Sequence, residues 1–471
     1  MIIPKIKFFS FLAAASISCT SLVSCNDFLD VTPDGQEKLD QILSTPEGVE
    51  SALYGAYAQL RNTNLYGANL SFKVVDILAQ HFTVYGGNNN HIAALEKYDY
   101  NYSDVEQDFE NIWTKMYGNI SNVNAILGSA ILNDASSFPY NIYKGEALGL
   151  RAFMHFDLLR LFCEQYTLNP NASGIPYATN FGLQTPDFSS VAKCYEYILD
   201  DLLTAETLLQ DEDKYTDATN FMRDRSIHFN LHAVRATLAR VYLTMGQKDK
   251  ALIYAEKVIS ESGRKLTGQI SLAGDVAGIL SANETLFGVY YKEFYSVVSP
   301  NLQQHISWSS LEPRRDCLEI FQKEGQDLRQ NAYFKEDLSY SVPTFIKLTN
   351  VYDLNGQTTP AGIIPGINLI RLPEMYYIAA ECLLESNPGK ATEYFDELIT
   401  HRGLTKLSER PEPQAISQQI INDDRYKELW GEGQNFYNMK RQDLSISLPD
   451  GNSVKPVYII PIPDIEFDYR N

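Results

Sequence analysis

The sequence predicts a mainly helical fold in which paired helices are interrupted by long irregular stretches carrying short strands. Three observations predict it. Apolar residues recur at spacings of three and four in several windows. Glycines stand where those helices should stop. Between the windows lie two regions dense in Gly, Pro, Asn and aromatic residues.

The N-terminus comes first and lies outside that fold. Met1–Lys7 carries Lys5 and Lys7, and Phe8–Ser18 is an apolar run too short to cross a bilayer. The run ends in Leu22-Val23-Ser24-Cys25, which resembles a bacterial lipobox. Residues 1–24 therefore read as a lipoprotein signal peptide, Cys25 as the acylated residue and 25–38 as a flexible lipidated lead. The plainer alternative is an ordinary signal ending near Ser24, with Cys25 a simple thiol. No later segment offers 18 consecutive apolar residues, so no membrane-spanning helix is expected.

Residues 39–471 are expected to form a single domain, with a helical part over about 39–261, an irregular insertion over about 262–369 and a C-terminal part over about 370–471. Asn62–Asp104 is a second irregular stretch. The first helix pair is Tyr140–Tyr166 with Val191–Gln210. The clearest is Leu231–Ile259, where Leu231, Val234, Leu238, Val241 and Met245 fall on one face, Gly246 closes the helix, and Ala251, Ala255 and Val258 begin the next. Leu238, Ala239, Tyr242, Gly246 and Ala251 have the spacing of a tetratricopeptide (TPR) helix–turn–helix. Ile378, Ala379, Ala391, Phe395 and Leu398 repeat it in Arg371–Thr400. Ala251 and Ala391 are equivalent yet 140 residues apart, whereas a solenoid repeats near every 34 residues. The pairs are thus expected not to form a continuous array. Thr285–Tyr291 reads as a strand.

Composition excludes some functions. The formal charge of −20 becomes about −22 once Lys5 and Lys7 leave, which disfavours nucleic acid and anionic lipid surfaces. Cys163, Cys194, Cys317 and Cys382 sit in helical patterns without a Cys-x-x-Cys, as small buried residues do; a disulfide is the alternative in an exported chain. His228 and His232 share a helix face but lack the intervening Glu and a third ligand of a zinc site, so no metal or cofactor is expected. No nucleophile elbow, phosphate-binding loop or dinucleotide fingerprint occurs, and the chain is not expected to be an enzyme. Asp200-Asp201 and Asp423-Asp424 carry no message in so acidic a sequence.

An ordered set of fragments resembles the SusD/RagB-like nutrient-binding lipoproteins of the Bacteroidetes outer membrane. They are Cys25-Asn26-Asp27-Phe28-Leu29-Asp30, then Trp113, Tyr117, Ile120 and Asn124. Gly145-Glu146-Ala147 through Arg151-Ala152-Phe153 follows, with Phe156-Asp157-Leu158 and Ala239-Arg240-Val241-Tyr242-Leu243. Later come Arg371-Leu372-Pro373-Glu374 through Ala380-Glu381, Asp424–Leu429 with Gly431-Glu432-Gly433 and Lys440-Arg441, and Tyr458–Pro463. Relatives often run on into an Asn-Pro-Gly-Tyr-like tail where this sequence reads Asp468-Tyr469-Arg470-Asn471, a departure on which the fold assignment does not rest. The resemblance implies a SusD-like helical domain with about four TPR-like pairs. It also implies a surface-exposed lipoprotein of the outer membrane that captures an oligosaccharide, or in some members a peptide, and hands it to a SusC-like TonB-dependent transporter. A TPR-type envelope scaffold without a nutrient ligand is the alternative of another class.

A neutral sugar presents flat C–H faces, which stack on aromatic rings, and hydroxyls, which need amides and charged groups. Two stretches mix these residue types on irregular backbone. One holds Tyr85, Asn89, His91, Tyr98 and Asn101; the other holds Tyr291, Tyr295 and Trp308. These eight are the candidate ligand contacts, against the plainer readings of a mobile polar loop and of a strand whose aromatics pack inward. Glu146, Arg151, Arg240, Glu381 and Arg425 are expected to pair between helices, and Trp113 and Tyr117 to lie in the core.

Overall fold

The computed structural model describes residues 34–84, 90–182, 186–268, 279–280, 283–302, 310–323, 326–336, 342–349, 364–468 and 470. The signal segment and Cys25 lie outside them. Helix α1 (Asp34–Ile42) begins inside the stretch expected to be a flexible lead. It is followed by α2 (Pro46–Leu60), α3 (Val74–Leu78), strand β1 (Phe82–Val84), α4 (Asn90–Glu96), α5 (Ser103–Leu127) and α6 (Tyr140–Phe162). Strands β2 (Ser173–Pro176) and β3 (Phe188–Ser190) lead to α7 (Val191–Leu209), α8 (Leu231–Thr244) and α9 (Lys248–Glu261). The middle region holds β4 (Ile279–Leu280), β5 (Thr285–Tyr290), α10 (Phe294–Leu302), β6 (Leu311–Pro313), α11 (Cys317–Gln322), α12 (Leu328–Tyr333), β7 (Phe334–Lys335) and β8 (Thr344–Phe345). Strand β9 (Ile364–Arg371) then runs into α13 (Leu372–Leu383), α14 (Pro388–Thr400), α15 (Gln418–Glu428) and α16 (Asn435–Gln442).

Local chemistry sets the ends of these helices. The Asn230 side chain caps α8 by accepting from the Ala233 amide at 2.9 Å. Gly246, at φ +74°, closes it, with Gln247 N–H donating to the Tyr242 carbonyl at 2.8 Å and Gly246 N–H to Leu243 at 3.0 Å. That is the paired closure only a residue in the left-handed region makes cheaply. Asn387 and Pro388 start α14 in the same local way, the Asn387 side chain accepting from Lys390 N–H at 3.1 Å.

The helices stack in sequence order, α2 on α5, α5 on α6, then α7, α8 and α9, and α9 packs directly on α13, which pairs with α14. The expected break between pairs is therefore a break in sequence only. Strand β9 closes it. It pairs antiparallel with β5, from Thr285↔Arg371 to Tyr290↔Gly366, and delivers the chain to the first residue of α13. Ala239, Ala251, Ala379 and Ala391 are fully buried at the helix contacts, where a larger side chain would push the backbones apart.

Trp113 is buried and its indole N–H donates to Glu466 at 2.9 Å, while Tyr117 packs half-buried against it. The four cysteines among the described residues are buried and free, and burial raises the Cys163 thiol to about 12. His228 does not share a helix with His232. It precedes the α8 cap, and its Nδ1 lies 3.1 Å from Glu146, so the shared-face reading is corrected.

The motif arginines and carboxylates join helices. Arg151 forks onto Asp201 at 2.7 Å through both Nε and Nη2, Arg240 onto Glu374 at 2.6 and 2.5 Å, and Glu381 takes Arg425 and Arg441. A larger buried network holds β9 and α15 together. Arg329, Lys347, Arg371, Arg402 and Lys427 meet Glu284, Asp327, Asp424, Glu428 and Glu432. Five cations face five carboxylates, so the network is neutral as a whole. Gly431 and Gly433, both at positive φ, turn their amides onto Asp76 at 2.6 and 3.1 Å. A Cβ on Gly433 would stand 2.2 Å from the Leu70 carbonyl oxygen, so that loop is closed to any side chain.

Candidate ligand-binding face

Strand β1 pairs antiparallel with β6, Phe82↔Pro313, Thr83↔Glu312 and Val84↔Leu311. The chain leaves β1 into residue 85 and enters β6 from residue 310, so both stretches nominated from sequence attach to the same end of one strand pair. Tyr85, Asn89 and Trp308 themselves lie outside the described residues. Helix α4 packs on β1, and α10 packs on both β6 and β9. His91 on α4 and Tyr295 on α10 are thereby joined through β1 and β6, with Tyr291 immediately before α10.

The described candidates differ in what they offer. His91 is partly buried and its Nε2 lies 2.7 Å from Asp108 Oδ2, while Asp108 Oδ1 accepts from Asn69 at 3.3 Å. Asn101 is exposed just before α5. Tyr291 and Tyr295 are half-buried, and the Tyr291 ring packs 5.8 Å from Phe294 with the Arg61 guanidinium 5.7 Å from its centre. Tyr98 is a correction. It is 7% exposed at φ +57°, and its hydroxyl donates to the Leu78 carbonyl at 3.0 Å and accepts from Gln80 at 3.2 Å. Burial pushes its phenol well above the ordinary tyrosine range. Tyr98 therefore packs the underside of this face and has no free ring surface for a ligand. Tyr100 is buried too, donating to Val457.

Tyr290, which opens the second aromatic stretch of the sequence, stands at the end of β5, 45% exposed beside Tyr291 after five buried residues. One residue escaped the sequence reading. Arg61 follows α2, and nothing in its surroundings in the sequence ties it to a tyrosine 230 residues later. A phenol face with a guanidinium beside it supplies an apolar platform and hydrogen-bond donors together, the combination a polyhydroxylated ring requires. A separate cavity of about 530 Å³ opens between α1, α5 and α6, bordered by Asn124, Lys144, Arg151 and Phe181. Among the described residues there is no cluster of His, Cys, Asp and Glu suited to a metal ion, and no helix long and apolar enough to cross a membrane.

Comparison with known proteins adds to this geometry. A family model described as starch-binding and associating with the outer membrane matches residues 27–243, and the SusD family model matches residues 322–458. The chain is 24% identical to SusD-like protein P2 of Formosa agariphila, over 95% of each. A SusD superfamily protein of Bacteroides thetaiotaomicron is 25% identical and superposes with a TM-score of 0.72, covering 90% of this chain and 98% of that one. A protein of Bacteroides vulgatus, at 22% identity, gives 0.70 over 90% and 96% and shares the fold. With the two models spanning both the helix stack and the C-terminal helices, the chain belongs to the SusD/RagB-like family.

Proposed function

We propose that the protein is a surface-exposed lipoprotein of the outer membrane, anchored through acylated Cys25, that captures an oligosaccharide and passes it to a SusC-like TonB-dependent transporter without chemically altering it. The observation that carries the ligand part is the Val84↔Leu311 pairing, which joins the flanks of the two stretches rich in aromatics and amides; exposed Tyr290 and the Tyr291–Arg61 pair support the same reading. The family's association with the outer membrane and the lipobox-like Leu22–Cys25 support the anchor.

A glycan array probed with the chain following Cys25 tests the ligand class. One or more glycans should bind and be recovered intact; a peptide ligand in place of a glycan would overturn the class. On the bound glycan, the Tyr85→Ala/Trp308→Ala double variant should lose affinity about tenfold or more with little change in Tm, as removal of aromatic anchors does. Tyr98→Ala should do the reverse, lowering Tm by emptying a buried ring site while its effect on affinity stays secondary. Unaltered affinity in the double variant would remove the face from consideration. For the anchor, Cys25→Ala should move the protein from the membrane to the soluble fraction; membrane retention of that variant in a strain lacking the transporter would contradict lipidation.

A further inference from the structure

We propose that a cavity at the joint between the helix stack and the C-terminal helices binds one small inorganic anion of chloride size. The cavity measures about 40 Å³, room for such an ion or a few waters and too little for a sugar. Arg160 of α6, Arg240 of α8, Arg425 of α15 and Arg441 of α16 line it, with Glu374 of α13 and Tyr437 of α16.

The charges do not balance. Arg160 pairs with Asp157 at 2.9 Å, Arg240 with Glu374, and Arg425 and Arg441 share Glu381 at 2.9 and 2.5 Å. Four guanidinium groups thus face three carboxylates, and one buried positive charge is left over. The donors do not balance either. Arg425 uses only Nη1, which donates to Glu381 and to Asn438 Oδ1. Its Nε and Nη2 are buried without a hydrogen-bond partner, as are Arg240 Nη1 and the Tyr437 hydroxyl. Arg425, Arg240 and Tyr437 are 3%, 4% and 5% exposed. The neighbouring amide oxygens do not relieve them: Asn438 Oδ1 already accepts from Arg425, Arg441 and Gln442, and Gln434 Oε1 accepts from Arg160 and from none of these donors. Burial, the largest influence on it, holds the Arg425 guanidinium below its ordinary range despite Glu381, as expected of a cation short of counter-charge.

Water in the cavity would satisfy the donors and leave the charge. A monovalent anion satisfies both, and it would clamp α8, α15 and α16 to one another. The inference is independent of the glycan reading and concerns other residues.

Bromide soaked into crystals of the protein should give an anomalous peak inside the cavity. In solution, sodium chloride should raise Tm relative to sodium gluconate at equal ionic strength, saturating at about 3 °C. Tyr437→Phe, which keeps the ring and removes one donor, should shrink that difference, and Arg425→Met should abolish it. A cavity holding only water in bromide-soaked crystals, with equal Tm in the two salts, would overturn the proposal whether or not Arg425→Met folds.

Discussion

Glu428→Ala should be among the most damaging single substitutions in the protein, lowering stability by about 3–5 kcal/mol or preventing recovery of soluble chain. Glu428 is fully buried on α15 and accepts from three arginines. Arg402 reaches it through Nε at 2.8 Å and Nη2 at 2.9 Å, Arg371 at 2.9 Å and Arg329 at 3.1 Å. Burial by itself would raise its pKa, but Arg402 and Arg371 outweigh burial and hold the carboxyl well below the ordinary range. Truncation leaves five buried cations against four carboxylates and opens a void. Glu428→Gln keeps the volume and some acceptor capacity but loses the charge, so it should be milder than Ala and still clearly destabilising. Midpoints of guanidinium chloride unfolding for the three proteins measure this order. A Glu428→Ala chain with a wild-type midpoint would show that the network does not brace β9 and α15.

The same network marks the limit of what the sequence discloses. Arg371, Asp424 and Glu428 stand in the fragments that carry the family resemblance, but their pairing was not read from the sequence. Their partners Glu284, Asp327 and Lys347 come from the irregular region, where no periodicity links them to α15. The α8–α9 pair was legible because its determinants are local: the three-and-four spacing and Gly246 lie within one short window. The contact of α9 with α13 was not, because it depends on β9 returning beside β5 from some 80 residues away. The binding face divides in the same manner. Residue types pointed to two aromatic segments, and the β1–β6 pair joins their flanks. Whether a given ring faces outward is decided by neighbours distant in sequence, the Leu78 carbonyl for Tyr98 and Arg61 for Tyr291. Residue type alone therefore grouped Tyr98 with Tyr291, although one is packed under the face and the other borders it.

Acid should unfold the protein steeply, with stability falling from about pH 6.5 and most of the loss between about pH 4.5 and 2. Glu146 is fully buried; burial raises its pKa, but Arg225 and His228 bring it down to about 2. Glu381 is brought to about 2 against burial by Arg441 and Arg425, and Asp424 to about 2 by Arg329 and Lys427. Each has a folded pKa below its unfolded one. Its stabilising contribution is complete above the unfolded value and is lost as pH falls through the folded value. At 1.36 kcal/mol per unit, each is worth on the order of 2–4 kcal/mol at neutral pH. Two histidines push in the same direction. Burial lowers His155 to about 3 and His232 to about 4, so the unfolded chain takes up their protons first. His155 is locked neutral by its contacts, since its Nε2 accepts from the Ala178 amide at 3.0 Å while Nδ1 faces the Arg151 carbonyl at 2.9 Å. Protonation of Nε2 would break that bond inside the core. Unfolding midpoints measured from pH 7 to pH 3 should therefore drop throughout and faster below 4.5. Glu381→Gln, whose contribution no longer titrates, should start lower at pH 7 and fall less. A midpoint that stays level down to pH 3 would mean that these buried pairs contribute little to the folded state, and Glu428→Ala would then be expected to be mild as well.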